Sequence, residues 1–260
     1  MKEPVIISGA TGGIGSSIAQ KFVIEGQSVI LLGRQKDKLN DLAVSLQKDN
    51  RSNVEIETVE VDINNPFAVD AAAAEILSHY GAPRAIVHAA GDHPVRTIID
   101  STDEEWRSAI EGKVLGAVRL IRAFGPSMRV LGCGSITLIA GLFRAEPSPL
   151  FPIGSVLNAA LGAIVKATAK EFAVDGVRVN VVDPGPVATD RWWETCEELA
   201  EVAGSRAEDI NQNTIKNIPL GRLVSPADVS NMVYFLSSEA ASHVTGSSFV
   251  VDGGMSAGLV

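Results

Sequence analysis

The chain has 260 residues and a formal net charge of -9, so it offers no basic stripe of the kind that attracts a nucleic-acid backbone. Hydrophobic residues make up 46% and charged residues 20%, enough apolar side chain to close a sizeable core and too much for a disordered chain. No uncharged apolar stretch reaches the roughly 20 residues that span a bilayer, and Cys133 and Cys196 lie far apart without metal-ligand spacing, so no membrane span, disulfide framework or metal site is expected.

The first strand is expected at Val5–Ser8, with no signal-peptide pattern ahead of it, which points to cytoplasmic residence. It runs straight into Ser8-Gly9-Ala10-Thr11-Gly12-Gly13-Ile14-Gly15, which opens a helix at Ile14–Glu25. A glycine-rich run between a strand and a helix is the context in which a dinucleotide pyrophosphate is held. Gly9 permits the tight turn, Gly13 lets backbone approach the phosphates, and Gly15 allows close packing of helix on strand. The helix N-terminus adds unpaired N–H groups and a positive dipole end, which makes Thr11, Gly12 and Ile14 candidate contacts as well.

The second strand, Ser28–Leu32, ends on Gly33-Arg34, where NAD-selective sites usually carry an acid for the ribose 2′-hydroxyl. A guanidinium there would attract a 2′-phosphate, so NADP(H) is the expected cofactor. After a helix at Lys36–Gln47, the third strand, Val54–Val61, is followed by Asp62 and Ile63, placed either against an adenine edge or in a simple turn. A helix at Pro66–His79 leads to the fourth strand, Ala85–His88, whose end continues as Ala89-Ala90-Gly91 where backbone passes close to a nucleotide.

One long helix is expected over Glu104–Met128, then a strand at Ser135–Ile139, a helix at Val156–Ala173 and a strand at Arg178–Val182. The polar stretch 189–219, with Trp192 and Trp193, reads either as a cover over a substrate pocket or as a surface helix pair packing its tryptophans inward. Ser225 and Pro226 mark the cap and first turn of a helix at Pro226–Leu236, and Ser248–Val251 is the seventh strand. Strands alternating with helices imply βαβ units, so the whole of 1–260 reads as a single doubly wound Rossmann domain, with a seven-stranded parallel sheet and helices on both faces.

Over nearly its whole length the sequence resembles the short-chain dehydrogenase/reductase family. The glycine run stands for that family's TGxxxGxG, and His88-Ala89-Ala90-Gly91 for its NNAG with both asparagines replaced. Arg178-Val179-Asn180 with Pro184-Gly185 and Thr189 matches a third block, and Thr245-Gly246 with Val251-Asp252-Gly253-Gly254 a fourth. The resemblance implies cofactor contacts at Ala89, Ala90, Gly91, Pro184, Gly185, Val187 and Thr189. It also implies a homotetramer or homodimer joined through the two long helices, where Gly116 and Gly162 would permit close approach, although core packing explains them equally well.

The family's chemistry uses Asn, Ser, Tyr and Lys. Aligned through Ala169-Lys170-Glu171, the tyrosine position falls on Gly154, the lysine on Asn158 and the serine on Gly141, while the asparagine position holds Lys113. No small shift restores a tyrosine, because the others are Tyr80 and Tyr234. Ordinary ketone reduction needs a preorganised acid, so reduction of an activated C=C or C=N bond in a small-molecule substrate is expected instead. Lys113 leads the catalytic candidates, since an ammonium can stabilise an enolate and donate a proton. Asn158 can still bind the nicotinamide ribose, and His93 and Arg144, on loops at the carboxyl edge of the sheet, are candidates to polarise a carbonyl or hold a carboxylate. Lys113, the altered serine segment and Leu157-Asn158-Ala159-Ala160-Leu161 are also similar to an atypical subgroup that includes bacilysin-pathway reductases, for which the resemblance implies conjugate reduction with NADPH. The alternative is a non-redox NADP(H)-binding protein: a sensor, a scaffold or a cyclase.

Overall fold

The computed structural model describes residues 3–50 and 53–258; the ends of the expected 1–260 range lie outside these. Seven strands form one parallel sheet: β1 (Val5–Ser8), β2 (Val29–Gly33), β3 (Ile56–Glu60), β4 (Ala85–His88), β5 (Gly134–Ile139), β6 (Val177–Pro184) and β7 (Ser248–Val251). Their order is β3-β2-β1-β4-β5-β6-β7. The pairing Val5↔Val29 and Val5↔Ala85 sets the register around β1. Because successive side chains point to opposite faces, the apolar runs divide in two. Ile6, Ile30, Ile86 and Ile136 go to one core, and Ile7, Leu31 and Val87 to the other.

The helices α1 (Gly13–Ile24), α2 (Lys36–Gln47) and α9 (Pro226–Ser237) cover the second face. The first is covered by α3 (Pro66–Tyr80), α5 (Gly116–Leu131) and α6 (Pro152–Phe172). Local chemistry sets several starts. Asn65 Oδ1 accepts from Phe67 and Ala68 N–H at the head of α3, and Ser225 forms a reciprocal cap with Asp228 ahead of Pro226.

Two differences from the sequence expectation exceed two residues. The helix expected over Glu104–Met128 is α4 (Asp103–Ala109), a π-helical segment (Ile110–Leu115) and α5 in succession. Gly116 N–H donates to Glu111 C=O, the wider spacing of a π turn, and His88 binds the carbonyl of Lys113 inside it. Helix α6 starts ahead of Val156, at Pro152, which suits a first helical position because it has no N–H to leave unpaired. By length and mean hydropathy, 1.3, the segment Pro152–Asp175 would suit a membrane span, yet Leu157, Leu161 and Val165 are buried in the fold. The stretch 189–219 folds as α7 (Asp190–Ala203) and α8 (Ala207–Lys216).

Gly116 and Gly162 serve the interior of the chain. A Cβ at Gly116 would lie 3.2 Å from His88 Cε1, and one at Gly162 would lie 3.0 Å from Arg144 Cδ.

Candidate active site

Strand order reverses at β1, with β2 on one side and β4 on the other, and the crevice beyond these carboxyl ends is where open α/β sheets bind ligands. Gly9 turns there with φ +70, and a Cβ on it would lie 2.7 Å from Ala89 C and Ala90 N. A Cβ on Gly15 would lie 2.8 Å from Gly9 C, so helix and loop touch only because residue 15 is glycine. The first turn of α1 has no acidic residue and no side-chain cap at Gly12, which leaves its N–H groups facing outward for an anion. From the other side Thr189 closes on the loop: a Cβ on Gly13 would lie 2.5 Å from its Cγ2.

One cavity of about 760 Å³ follows from this arrangement. Its lining holds every residue expected to touch the nucleotide, from the glycine loop through Arg34, Asp62 and Ile63 to Ala89–Gly91, Asn158 and the segment Pro184–Thr189. Arg34 is exposed at the end of β2, and Asp62 accepts from Asn64 N–H in a turn. Buried Asn158 has an Oδ1 without a hydrogen-bond partner, the kind of acceptor that a ribose hydroxyl would satisfy. The bare glycine cradle, the free helix end and this orphaned acceptor fit a nicotinamide dinucleotide.

Lys113 is 7% exposed, sits in the π segment and lines the same cavity. Its Nζ donates to Ala140 C=O at 3.3 Å. The side chain lies over Gly91, where a Cβ would come within 2.6 Å of Lys113 Cβ. Burial pushes the ammonium down to about 8, against the pull of Asp92 and Asp183. Its backbone is tied to the sheet through fully buried His88, whose Nε2 lies 2.9 Å from Lys113 O and whose Nδ1 lies 2.7 Å from Ser8 Oγ. A carbonyl only accepts, so Nε2 carries the proton and Ser8 donates to Nδ1. Burial keeps this imidazole neutral, with a pKa near 4.

Gly141 and Gly154 adjoin other side chains. A Cβ on Gly141 would lie 2.9 Å from Asn158 Nδ2, and one on Gly154 would lie 2.5 Å from His93 Cε1. His93 lines the cavity as expected. Arg144 does not. Its Nε donates to Asp183 Oδ2 at 2.6 Å and its Nη2 to Ser248 Oγ at 2.8 Å, so this guanidinium binds the fold itself and does not line the cavity. Asp183, only 2% exposed at the end of β6, also accepts from Gly141 N–H, and the pair thereby fixes the loop after β5.

Helices α7 and α8 bring Arg191, Trp192, Thr195, Leu199 and Thr214 to the cavity wall. Trp192 is partly buried with Nε1 donating to Asn211 Oδ1 at 2.9 Å, whereas Trp193 is 45% exposed. The inward-packing alternative thus holds for one tryptophan. Sequence reasoning missed Arg191, which joins Asp92 and Glu198 at 2.7 Å each. Its place just after Thr189 was the available hint. Asp183 was likewise missed, although an acid directly before Pro184-Gly185 stands out in an apolar strand.

Comparison with known proteins shows the family and the fold. Residues 9–256 match the family model described as enoyl-(acyl carrier protein) reductase. An uncharacterized short-chain type dehydrogenase/reductase of Sinorhizobium fredii is 30% identical over 257 residues, 96% of each chain. The L-sorbose reductase of Gluconobacter frateurii, solved in complex with NADPH and L-sorbose, is 35% identical with a TM-score of 0.91, covering 99% of this chain and 98% of that one. An NADPH-dependent reductase involved in bacilysin biosynthesis has a TM-score of 0.93 over 100% of both chains at 22% identity, a likeness of fold. This chain belongs to the short-chain dehydrogenase/reductase family of oxidoreductases.

Proposed function

We propose that the protein is an atypical member of that family that uses NADPH to reduce an activated C=C or C=N bond in a small, largely apolar metabolite. The observation that carries the reading is buried Lys113, facing a cavity lined by Asn158 and Gly141 where the family's lysine and serine are expected, while Gly154, at the expected tyrosine position, lies behind His93. Leu142, Phe143, Phe151 and Met255 in the lining suit an apolar substrate better than a polyhydroxy ketone such as the L-sorbose of the similar reductase.

Arg34 supports a 2′-phosphate, the first turn of α1 the pyrophosphate, and Asn158 the nicotinamide ribose. When bound, the reduced nicotinamide would supply a hydride, which at the β-carbon of an enone would leave an enolate to be stabilised and at an iminium carbon would complete the C–H bond. The Lys113 ammonium attracts that negative charge, then gives one proton to the α-carbon and is reprotonated from solvent. Helices α7 and α8 serve as the cover that keeps water from the site. The reading extends to a cytoplasmic homotetramer or homodimer joined through α5 and α6.

The test is to mix the protein with NADPH and a panel of enones, cyclic imines and simple ketones, following the reduced-nicotinamide absorbance. Consumption with enones or imines supports the proposal, and preferential consumption with ketones overturns it. Bound NADPH with no consumption across the panel moves the reading to a non-redox nucleotide-binding protein.

A further inference from the structure

The space beside Gly154 is filled from another element. His93, on the loop after β4, lays its imidazole where a side chain at 154 would begin, with Cε1 2.5 Å from the position of a Cβ there. The ring meets Phe151 edge-on at 6.0 Å, and Phe151 stacks on Phe143 at 4.5 Å. His93 and Lys113 line the same cavity, and His93 Nδ1 is buried without a hydrogen-bond partner. An unsatisfied polar atom packed beside two phenylalanine rings is costly unless a ligand completes it.

The backbone of His93 is fixed on both sides. Its N–H donates to Asp92 Oδ1 at 2.8 Å, and its C=O accepts from Arg191 Nη2 at 2.7 Å. Arg191 also binds Asp92 and Glu198, and Glu198 Oε2 accepts from Val95 N–H at 2.7 Å. The start of α7 therefore clamps this loop. A loop held this firmly, carrying a ring packed on Phe151 with no hydrogen-bond partner at Nδ1, suits a preorganised donor more than a surface side chain.

We propose that His93 is a second catalytic residue of this site, its neutral imidazole donating a hydrogen bond to the substrate's carbonyl oxygen as that oxygen gains charge. The assignment rests on the reductase reading above. Labour is divided: His93 holds the oxygen, and Lys113 supplies the proton that reaches carbon. Burial, reinforced by the charge of Lys113, holds the His93 imidazole near a pKa of 4, so at neutral pH it donates a hydrogen bond and transfers no proton. Gly154 determines the arrangement, since any Cβ there displaces the ring.

The test uses the full chain with oxidised NADP and p-nitrophenolate, an aromatic oxyanion that mimics an enolate and whose absorbance reports its binding. Wild-type protein is expected to bind the phenolate, and His93→Leu to bind it about tenfold to a hundredfold more weakly, the range for losing a hydrogen bond to a charged group. His93→Gln, which keeps an N–H donor, should recover part of the loss. Gly154→Ala should weaken binding although the imidazole remains. Wild-type affinity in His93→Leu or Gly154→Ala, or no binding by the unmodified protein, overturns the assignment. No turnover is involved, so failure of the enone and imine panel would defeat the reductase reading while leaving the phenolate result to decide on His93.

Discussion

An ammonium removed from water loses several kcal/mol of hydration, and only well-placed acceptors or nearby carboxylates repay it. Lys113 has one carbonyl partner and the more distant pull of Asp92 and Asp183, which is why its proton is held loosely. If that proton reaches substrate, kcat/KM for an enone should fall as pH rises through about 8, because the ammonium is the active form. Lys113→Met should lower the rate about 10²- to 10⁴-fold and remove that pH limb; a wild-type profile flat through this range would take Lys113 out of the mechanism. Arg34 is exposed, so its effect belongs to cofactor choice. Arg34→Ala should weaken NADPH binding about tenfold while leaving NADH binding unchanged, as read by fluorescence titration. Equal NADPH affinity in both proteins would refute its role. The roles of Gly9 and Gly15 were legible in the sequence because a tight turn between strand and helix is a local demand. The direction of Arg144 was not, because its partners Asp183 and Ser248 lie on strands distant in sequence.

At the scale of elements, the π segment breaks what the sequence presents as one amphipathic helix. Apolar spacing is satisfied by either winding, and what selects the wider turn here is a contact from outside the helix, the His88 bond to the Lys113 carbonyl. The pair of half-buried Arg144 and buried Asp183 joins β6 to the loop after β5 in a similar way. Arg144→Met should destabilise the fold by about 3 to 5 kcal/mol, because it leaves the Asp183 carboxylate buried without its counter-charge. Arg144→Met combined with Asp183→Leu should recover most of that loss. Urea denaturation of the three proteins decides the matter: a double variant no more stable than the single one would mean that packing, and not the stranded charge, sets the cost. Helices α7 and α8 show a further limit of local reading. Their polar sequence fits a surface pair, and only their contacts with Asp92, His93 and Val95 reveal that α7 also holds a wall of the cavity.

For the whole molecule, stability should depend on pH through two histidines buried in neutral form. His88 and His93 both have folded pKa values near 4, well below the ordinary 6.5, and in both burial is the main cause. A depressed folded value means that the unfolded chain takes up protons first. The stabilisation is therefore complete above 6.5 and is lost as pH falls toward 4. A histidine shifted this far withdraws about 2 kcal/mol by pH 5. Urea unfolding at pH 7 and pH 5 measures it, and His88→Asn should remove about half of the difference, leaving the part due to His93; an unchanged difference would show that His88 does not contribute. Chain-level order was largely present in the sequence. Apolar strands alternating with helices, and a glycine run after the first strand, determined a doubly wound parallel sheet with a nucleotide crevice, because burial on two faces and close approach to a phosphate constrain residue type at neighbouring positions. The tertiary structure alone decided which polar side chains reach the cavity. His93 comes to rest against Gly154, Arg144 turns away to Asp183, and Arg191 clamps the wall, since each depends on a partner brought near only when distant strands pair and a helix docks beside them.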